Sequence, residues 1–144
     1  MAYSKDKDLV VVRPDILSLG VETWSAQAKL AEEDINRYID VFWYRGVAVE
    51  HGFDWKDEEY AFDATRLLSP ERLKKASIYL TLAYAYGHLT KNTTSDGFAA
   101  QRDTYQKLYD NEIKAAARFG LDYAWPEIGD VLSERRMPRK LVRG

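Results

Sequence analysis

Two histidines and many carboxylates are the residues of this chain that could carry out chemistry, and their spacing favours none of the usual sites. His51 and His88 are 37 residues apart. Neither follows a glutamate by three positions and neither belongs to a His-Glu-x-x-His sequence, so the spacings of di-metal bundles and zinc proteases are missing. The chain has no cysteine, which removes disulfides, thiolate ligands and thiol nucleophiles. We therefore expect no enzyme and no cofactor or metal site.

The carboxylates do not change this expectation. They are densest at Glu32-Glu33-Asp34 and Asp57-Glu58-Glu59, which is typical of a solvated helix face and a solvated loop. The stretch from 122 to 133 has the length of a calcium-binding loop, but Ala124 and Pro126 occupy positions that should supply oxygen ligands. Ser133 also replaces the bidentate acid, so we exclude calcium at this stretch.

The C-terminal residues 135–144 differ most from the rest of the chain. They carry five positive charges and no negative one, whereas the preceding part holds 16 Lys/Arg and 23 Asp/Glu. So short a segment cannot bury enough apolar surface alone to offset the entropy of ordering it, so we expect it to become ordered against another molecule. The candidate partner-binding residues are Arg135, Arg136, Arg139, Lys140, Leu141, Val142 and Arg143.

Three fates of this basic C-terminal arm are consistent with its residues. It could be a solvated chain end, it could bind nucleic acid through its charges, or it could dock on a protein by adding Leu141 and Val142 to an exposed strand edge. Five charges are few for nucleic acid binding, and the body has no basic stripe. Pro138 disfavours a helix, so we expect an extended arm.

Aromatic residues cluster at Phe42-Trp43-Tyr44, near the end of a predicted helix. Phe42 continues the apolar face of that helix and is expected in the core. Trp43 and Tyr44 point in other directions, so they could cover a neighbouring segment or contact a second subunit. The sequence leaves these two possibilities open.

Length and composition indicate one folded domain. The chain has 144 residues, of which 46% are hydrophobic, and a chain of this size can bury a core without disulfides or metal. The first eight residues are polar, unlike a secretory signal, and no apolar run is long enough to cross a bilayer. We expect a soluble, cytoplasmic protein that does not bind membranes.

Apolar spacing predicts an all-α protein. A short helix at about 5–12, capped by Ser4, should precede long helices at about 23–44, 70–90 and 97–119. The helix at 70–90 is apolar around most of its circumference, so it should be the central one. We expect a compact antiparallel bundle of three long helices and some short ones over residues 1–120. Residues 121–144 should form an irregular segment and the extended arm.

Helix ends are marked by a few residues. Gly46 or Gly52 should end the helix at 23–44, and Gly120 should end the last one as a glycine in the left-handed conformation. Ser69 should cap the central helix, with Pro70 at its first position.

The order of these segments resembles the head–tail connector (adaptor or neck) proteins of tailed bacteriophages. The likeness covers most of the chain as a layout, and no single motif is diagnostic. It rests on Tyr3-Ser4-Lys5-Asp6-Lys7-Asp8-Leu9-Val10, Arg13-Pro14-Asp15-Ile16, the helix start at Trp24, Phe42-Trp43-Tyr44, Ser69-Pro70-Glu71-Arg72-Leu73-Lys74 and Gly120-Leu121-Asp122-Tyr123-x-Trp125.

The resemblance implies a structural protein without catalysis, located in the virion neck between head and tail and assembled in the host cytoplasm. Such proteins form a homo-oligomeric ring, implied to be dodecameric, beneath the portal protein. Extended termini reach the portal and the tail or neck proteins, and residues 135–143 match such an arm by position only. DNA would pass through the ring without specific binding, because acidic walls do not hold it.

A small helical DNA-binding or regulatory protein that uses the basic tail is the alternative. It would need a recognition helix with several exposed basic side chains. The helix at 70–90 offers Arg72, Lys74 and Lys75 at its start and then becomes apolar, which is weak support.

Overall fold

The computed structural model describes residues 3–92 and 96–126, and this part of the chain is all-α. Short 3-10 turns lie at Ile16–Ser18, Glu58–Tyr60, Ala64–Arg66 and Pro70–Leu73. The helices are α1 (Asp6–Val12), α2 (Ser25–Ile39), α3 (Arg45–Glu50), α4 (Lys74–Asn92) and α5 (Asp96–Phe119), and a π-helical turn at Asp40–Tyr44 joins α2 directly to α3. The all-α prediction is confirmed.

Helix α4 packs against α1, α2 and α5, in keeping with its apolar circumference. Its buried residues are Ala76, Ser77, Ile78, Leu80, Thr81, Leu82, Ala83, Ala85, Tyr86 and Leu89. Despite this apolar character, none of the helices described is both long and apolar enough to span a membrane.

The core has two parts along α4. One surrounds Trp24 and includes Leu82 and Tyr105. The other lies between α2, α4 and α5 and includes Ile35 and Ile113. Both parts stabilise the folded chain, because each Å² of apolar surface removed from water contributes roughly 25 cal/mol.

The start of α1 differs from the prediction. Ser4 is not the cap, because its buried hydroxyl pairs with the hydroxyl of Ser77 at 2.7 Å. Lys5 precedes the helix instead, and its main-chain N–H donates to the Asp8 carboxylate at 2.8 Å. A carboxylate in the first turn thus satisfies a free N–H group at the helix start.

The π-helical turn corrects the prediction for Phe42. In this turn the main-chain N–H of Arg45 donates to the carbonyl of Asp40, five residues earlier. The turn takes up one residue more than an α-helical turn, so after Ile39 the buried face returns at Tyr44 and then at Ala48. Phe42 is consequently 71% exposed, whereas Tyr44 is 1% exposed.

Gly52, rather than Gly46, ends the long helical segment. Gly52 has a φ of 85°, which side chains with a Cβ rarely adopt. Its N–H donates to the carbonyl of Val49 at 3.1 Å, and the N–H of Phe53 donates to that of Ala48 at 2.9 Å. This pair of bonds is the Schellman motif. Gly46 lies inside α3.

Two other predicted helix ends need correction. Ser69 makes no capping hydrogen bond through its side chain, and the 3-10 turn that follows delays α4 until Lys74. Gly120 follows α5 without a left-handed backbone; its N–H donates to the carbonyl of Ala116 at 2.9 Å. Helix α5 therefore ends without the predicted glycine motif.

Candidate partner-binding surface

The predicted partner-binding residues of the basic arm lie outside the described residues, so their role stays a prediction. They are Arg135, Arg136, Arg139, Lys140, Leu141, Val142 and Arg143. The structure does describe residues 121–126, which lead from α5 toward the arm. Their contacts define how the body holds this segment.

Main-chain hydrogen bonds attach this segment to the turn at Ala64–Arg66. Tyr123 and Leu67 form an isolated antiparallel bridge. The N–H of Ala124 donates to the carbonyl of Arg66 at 2.8 Å, and Nη1 of Arg66 donates to the carbonyl of Ala124 at 2.8 Å. These reciprocal bonds satisfy main-chain groups outside the helices.

Asp63 fixes the turn to which this segment is attached. Its carboxylate accepts hydrogen bonds from the hydroxyl of Thr65 at 2.6 Å and from the N–H of Thr65 at 3.0 Å. These two bonds hold the pKa of Asp63 below its usual value. The N–H of Asp63 donates to the hydroxyl of Tyr123 at 3.0 Å, so the turn and the segment are bonded through both main chain and side chain.

Aromatic rings hold the segment from the inside. Trp125 stacks on Tyr44, Phe53 and His51, with ring centroids 5.5, 5.4 and 4.3 Å away respectively. Tyr123 is 3% exposed, and its ring centroid lies 4.7 Å from that of Trp125 and 5.0 Å from that of Tyr44. We call these five residues the aromatic anchor. Aromatic pairs of this kind stabilise a contact beyond the area that they bury.

The structure corrects the interpretation of Tyr44 as a possible inter-subunit residue. Tyr44 is buried within its own chain, and its hydroxyl donates a hydrogen bond to the carbonyl of Tyr60. Burial, aided by the nearby Tyr123, raises its pKa to about 12. Trp43 is half-buried and makes an edge contact with Tyr123 at 6.3 Å, so it covers a neighbouring segment of the same chain.

An acidic groove lies beside the aromatic anchor, with a volume of about 270 Å³. It is lined by Tyr44, Glu58, Glu59, Tyr60, Ala61, Phe62, Asp63, Arg66, Tyr123 and Pro126. The segment that forms much of it, residues 51–63, holds five carboxylates and one lysine, and three of these carboxylates line the groove. The groove is therefore a negatively charged surface, and it is lined in part by Pro126, the last residue described before the arm.

Two carboxylates of the acidic clusters at 32–34 and 57–59 accept hydrogen bonds within the chain. Asp34 accepts a hydrogen bond from the hydroxyl of Tyr84 and pairs with Arg37 at 2.9 Å. Burial and this bond raise the pKa of Tyr84. Asp57 caps the turn at Glu58–Tyr60, because its carboxylate accepts from the N–H of Glu59 at 3.0 Å.

The histidines lie in separate parts of the molecule. Nδ1 of His51 is 2.9 Å from the carbonyl oxygen of Val47, and the ring stacks in the aromatic anchor. His88 lies edge-on to Trp24 with ring centroids 6.0 Å apart. Within residues 3–92 and 96–126, no group of three or more His, Cys, Asp or Glu side chains could hold a metal ion.

Two of the three basic residues at 72–75 contact other residues of the chain. Lys74 pairs with Asp8 at 3.1 Å, and the Lys75 ammonium lies 5.9 Å from the ring centroid of Tyr79. All three side chains, Arg72 included, are nevertheless exposed.

No family model, curated protein or solved structure matches this chain.

Proposed function

We propose that this protein is a non-enzymatic structural adaptor, a head–tail connector of a virion, that docks on its partners through residues 135–144. The observation that carries the proposal is the aromatic anchor. Rings and main-chain bonds hold residues 121–126 on the body, so the chain is attached to the body eight residues before the arm begins at Arg135. Attachment near an arm reduces the entropy that is lost when the arm binds.

The partners of this connector would be the portal protein on one side and tail or neck proteins on the other. The arm would approach an acidic surface through its arginines, and Leu141 with Val142 would supply the apolar contact. This division of roles is supported by the charge contrast between arm and body.

Several copies would form a homo-oligomeric ring in the virion neck, dodecameric if the resemblance holds, after assembly in the host cytoplasm. The body of each copy would be an antiparallel helix bundle. The excess of carboxylates before the arm supports a channel through which DNA passes without specific binding, since like charges repel.

Phe42 is the candidate for a lateral contact between copies, in place of Tyr44. Its ring is 71% exposed and rests on Tyr38 with centroids 4.7 Å apart. The neighbouring Val41 is 41% exposed. Large apolar side chains that remain exposed in one chain can be buried by a second copy.

Electron microscopy of the native particle tests this proposal. A ring of copies between head and tail is expected, and the mass of the purified protein with a candidate portal protein should correspond to several copies per complex. A particle with a single copy, or with none in the neck, would contradict it. Salt-dependent DNA binding that is lost with the arm would instead favour the DNA-binding or regulatory alternative.

A further inference from the structure

We propose that, in the unassembled protein, the basic arm occupies the acidic groove of its own chain. This inference goes beyond the connector function, because it concerns the free chain and requires no other protein. Partner binding would then have to displace the arm from the groove. The inference rests on the chemistry of the groove, on its net negative charge and on its position.

The groove has the chemistry that recognises an arginine side chain. Of the tyrosine rings beside it only Tyr60 is not fully buried and can offer a face, while Glu58, Glu59 and Asp63 contribute carboxylates. A guanidinium group can stack on an aromatic face and donate two hydrogen bonds to a carboxylate. Four of the five cations of the arm are arginines, and the groove has room for a side chain of that size, at about 270 Å³.

The groove carries a net negative charge. Glu58 and Glu59 are exposed, and neither forms an ion pair with a residue that the structure describes. Arg66 also lines the groove and its charge acts on Asp63, so the three carboxylates Glu58, Glu59 and Asp63 together with Arg66 leave a net charge of −2. A cation brought by another segment would therefore find carboxylates available.

Position favours the arm of the same chain as that segment. Pro126, from which the chain continues toward the arm, itself lines the groove. Residues 127–134 separate it from Arg135, and at about 3.3–3.6 Å per residue such a linker spans up to about 29 Å. A short tether gives an effective concentration on the order of millimolar, so at lower protein concentrations a second copy is the weaker competitor.

A spin label at the end of the arm tests the inference on the full-length chain. The chain has no cysteine, so Gly144→Cys gives a single labelling site. Amide NMR signals of residues 58–62 should be broadened by the nitroxide at low salt. The broadening should diminish at high salt, since exposed charges are screened there.

Paired charge variants identify the carboxylates responsible. Glu58→Gln with Glu59→Gln should abolish the broadening. The control, Glu22→Gln with Glu33→Gln, removes the same charge from exposed positions elsewhere and should retain it. Unbroadened signals in the parent protein, or broadening that persists in the first pair, would overturn the inference.

A mixed sample separates the same chain from a second copy. Isotope-labelled protein without the nitroxide is mixed with unlabelled protein that carries it, and no broadening is expected. Broadening in this mixture would show that the arm occupies the groove of another copy and would contradict the proposal. Because no partner protein is present, these outcomes are independent of the connector function.

Discussion

The indole ring of Trp125 stacks on the phenol ring of Tyr44, with centroids 5.5 Å apart and 15° between the ring planes. Tyr44 belongs to the π-helical turn, whereas Trp125 belongs to the segment after α5. This contact joins the chain just before the basic arm to the helices that form the body. The extra residue of the π-helical turn brings Tyr44 into that position.

Replacing Trp125 should destabilise the whole domain. Trp125→Ala removes the ring that contacts four others, and because it is half-buried we expect a loss of about 2–3 kcal/mol, below the value for a fully buried tryptophan. Chemical denaturation measures it. The exposed Phe42→Ala should change stability by less than about 0.5 kcal/mol. An unchanged midpoint for Trp125→Ala would show that the anchor does not stabilise the fold.

Tyrosine burial predicts loss of stability at alkaline pH. Burial raises the pKa of Tyr3, Tyr44 and Tyr109 to about 12 each, from about 10 in the unfolded chain. Below pH 10 these hydroxyls are protonated in both the folded and the unfolded chain, and their contribution to the free energy of unfolding is fully present. Between pH 10 and 12 the unfolded state releases protons first, so stability falls. Denaturation midpoints measured from pH 8 to 11.5 should show this decline.

Tyr44→Phe measures how much of the alkaline loss of stability comes from the tyrosine of the aromatic anchor. It should cost about 0.5–1.5 kcal/mol at neutral pH by removing the hydrogen bond to Tyr60, and it should make the alkaline decline less steep. Tyr38→Phe serves as a control, because no described residue hydrogen-bonds to its hydroxyl. Equal effects of the two substitutions, or stability that stays flat to pH 11.5, would refute this account of the tyrosines.

Leu80→Asp should unfold the domain. Leu80 is 2% exposed on α4, and a carboxylate placed there would be buried without a partner, at a cost of several kcal/mol. Far-UV circular dichroism should lose its helical signal. Leu30→Asp is the matched control, because Leu30 is 53% exposed and should tolerate the charge. A helical spectrum with a normal midpoint for Leu80→Asp would contradict the position of α4 in the core.

Phe42→Asp should weaken lateral contacts without unfolding the chain. The side chain is 71% exposed, so the midpoint of unfolding should change little. Analytical ultracentrifugation of the assembled complex should show fewer copies per particle. If assembly is unaffected by Phe42→Asp, the lateral contact lies elsewhere on the body.

Helical periodicity predicted much of the fold. The apolar spacing predicted the buried faces of α2 and α5, because side chains three and four residues apart lie on one side of a helix. The same spacing did not predict the π-helical turn at Asp40–Tyr44. A regular helical period continued through these residues would place Phe42 in the core. One additional residue exchanges the environments of Phe42 and Tyr44, and local sequence contains no marker of it.

The aromatic anchor was missed for a different reason. Residues 121–126 lack helical spacing and contain Pro126, so the sequence indicates an irregular segment. Their packing depends on Tyr44 and Phe53, which are far away along the chain. Two aromatic residues, Tyr123 and Trp125, directly after a helix are the signal that could have predicted burial, although not against which neighbours.

Binding of a chain without the arm tests the central claim most directly. Deleting residues 135–144 should leave the circular dichroism spectrum and the unfolding midpoint nearly unchanged, yet abolish binding to a candidate portal protein in a titration with the full-length chain as reference. Leu141→Asp with Val142→Asp should cost more affinity than any single Arg→Ala, because one exposed charge contributes at most about 1 kcal/mol. Full affinity of the truncated chain would show that docking occurs on the helical body.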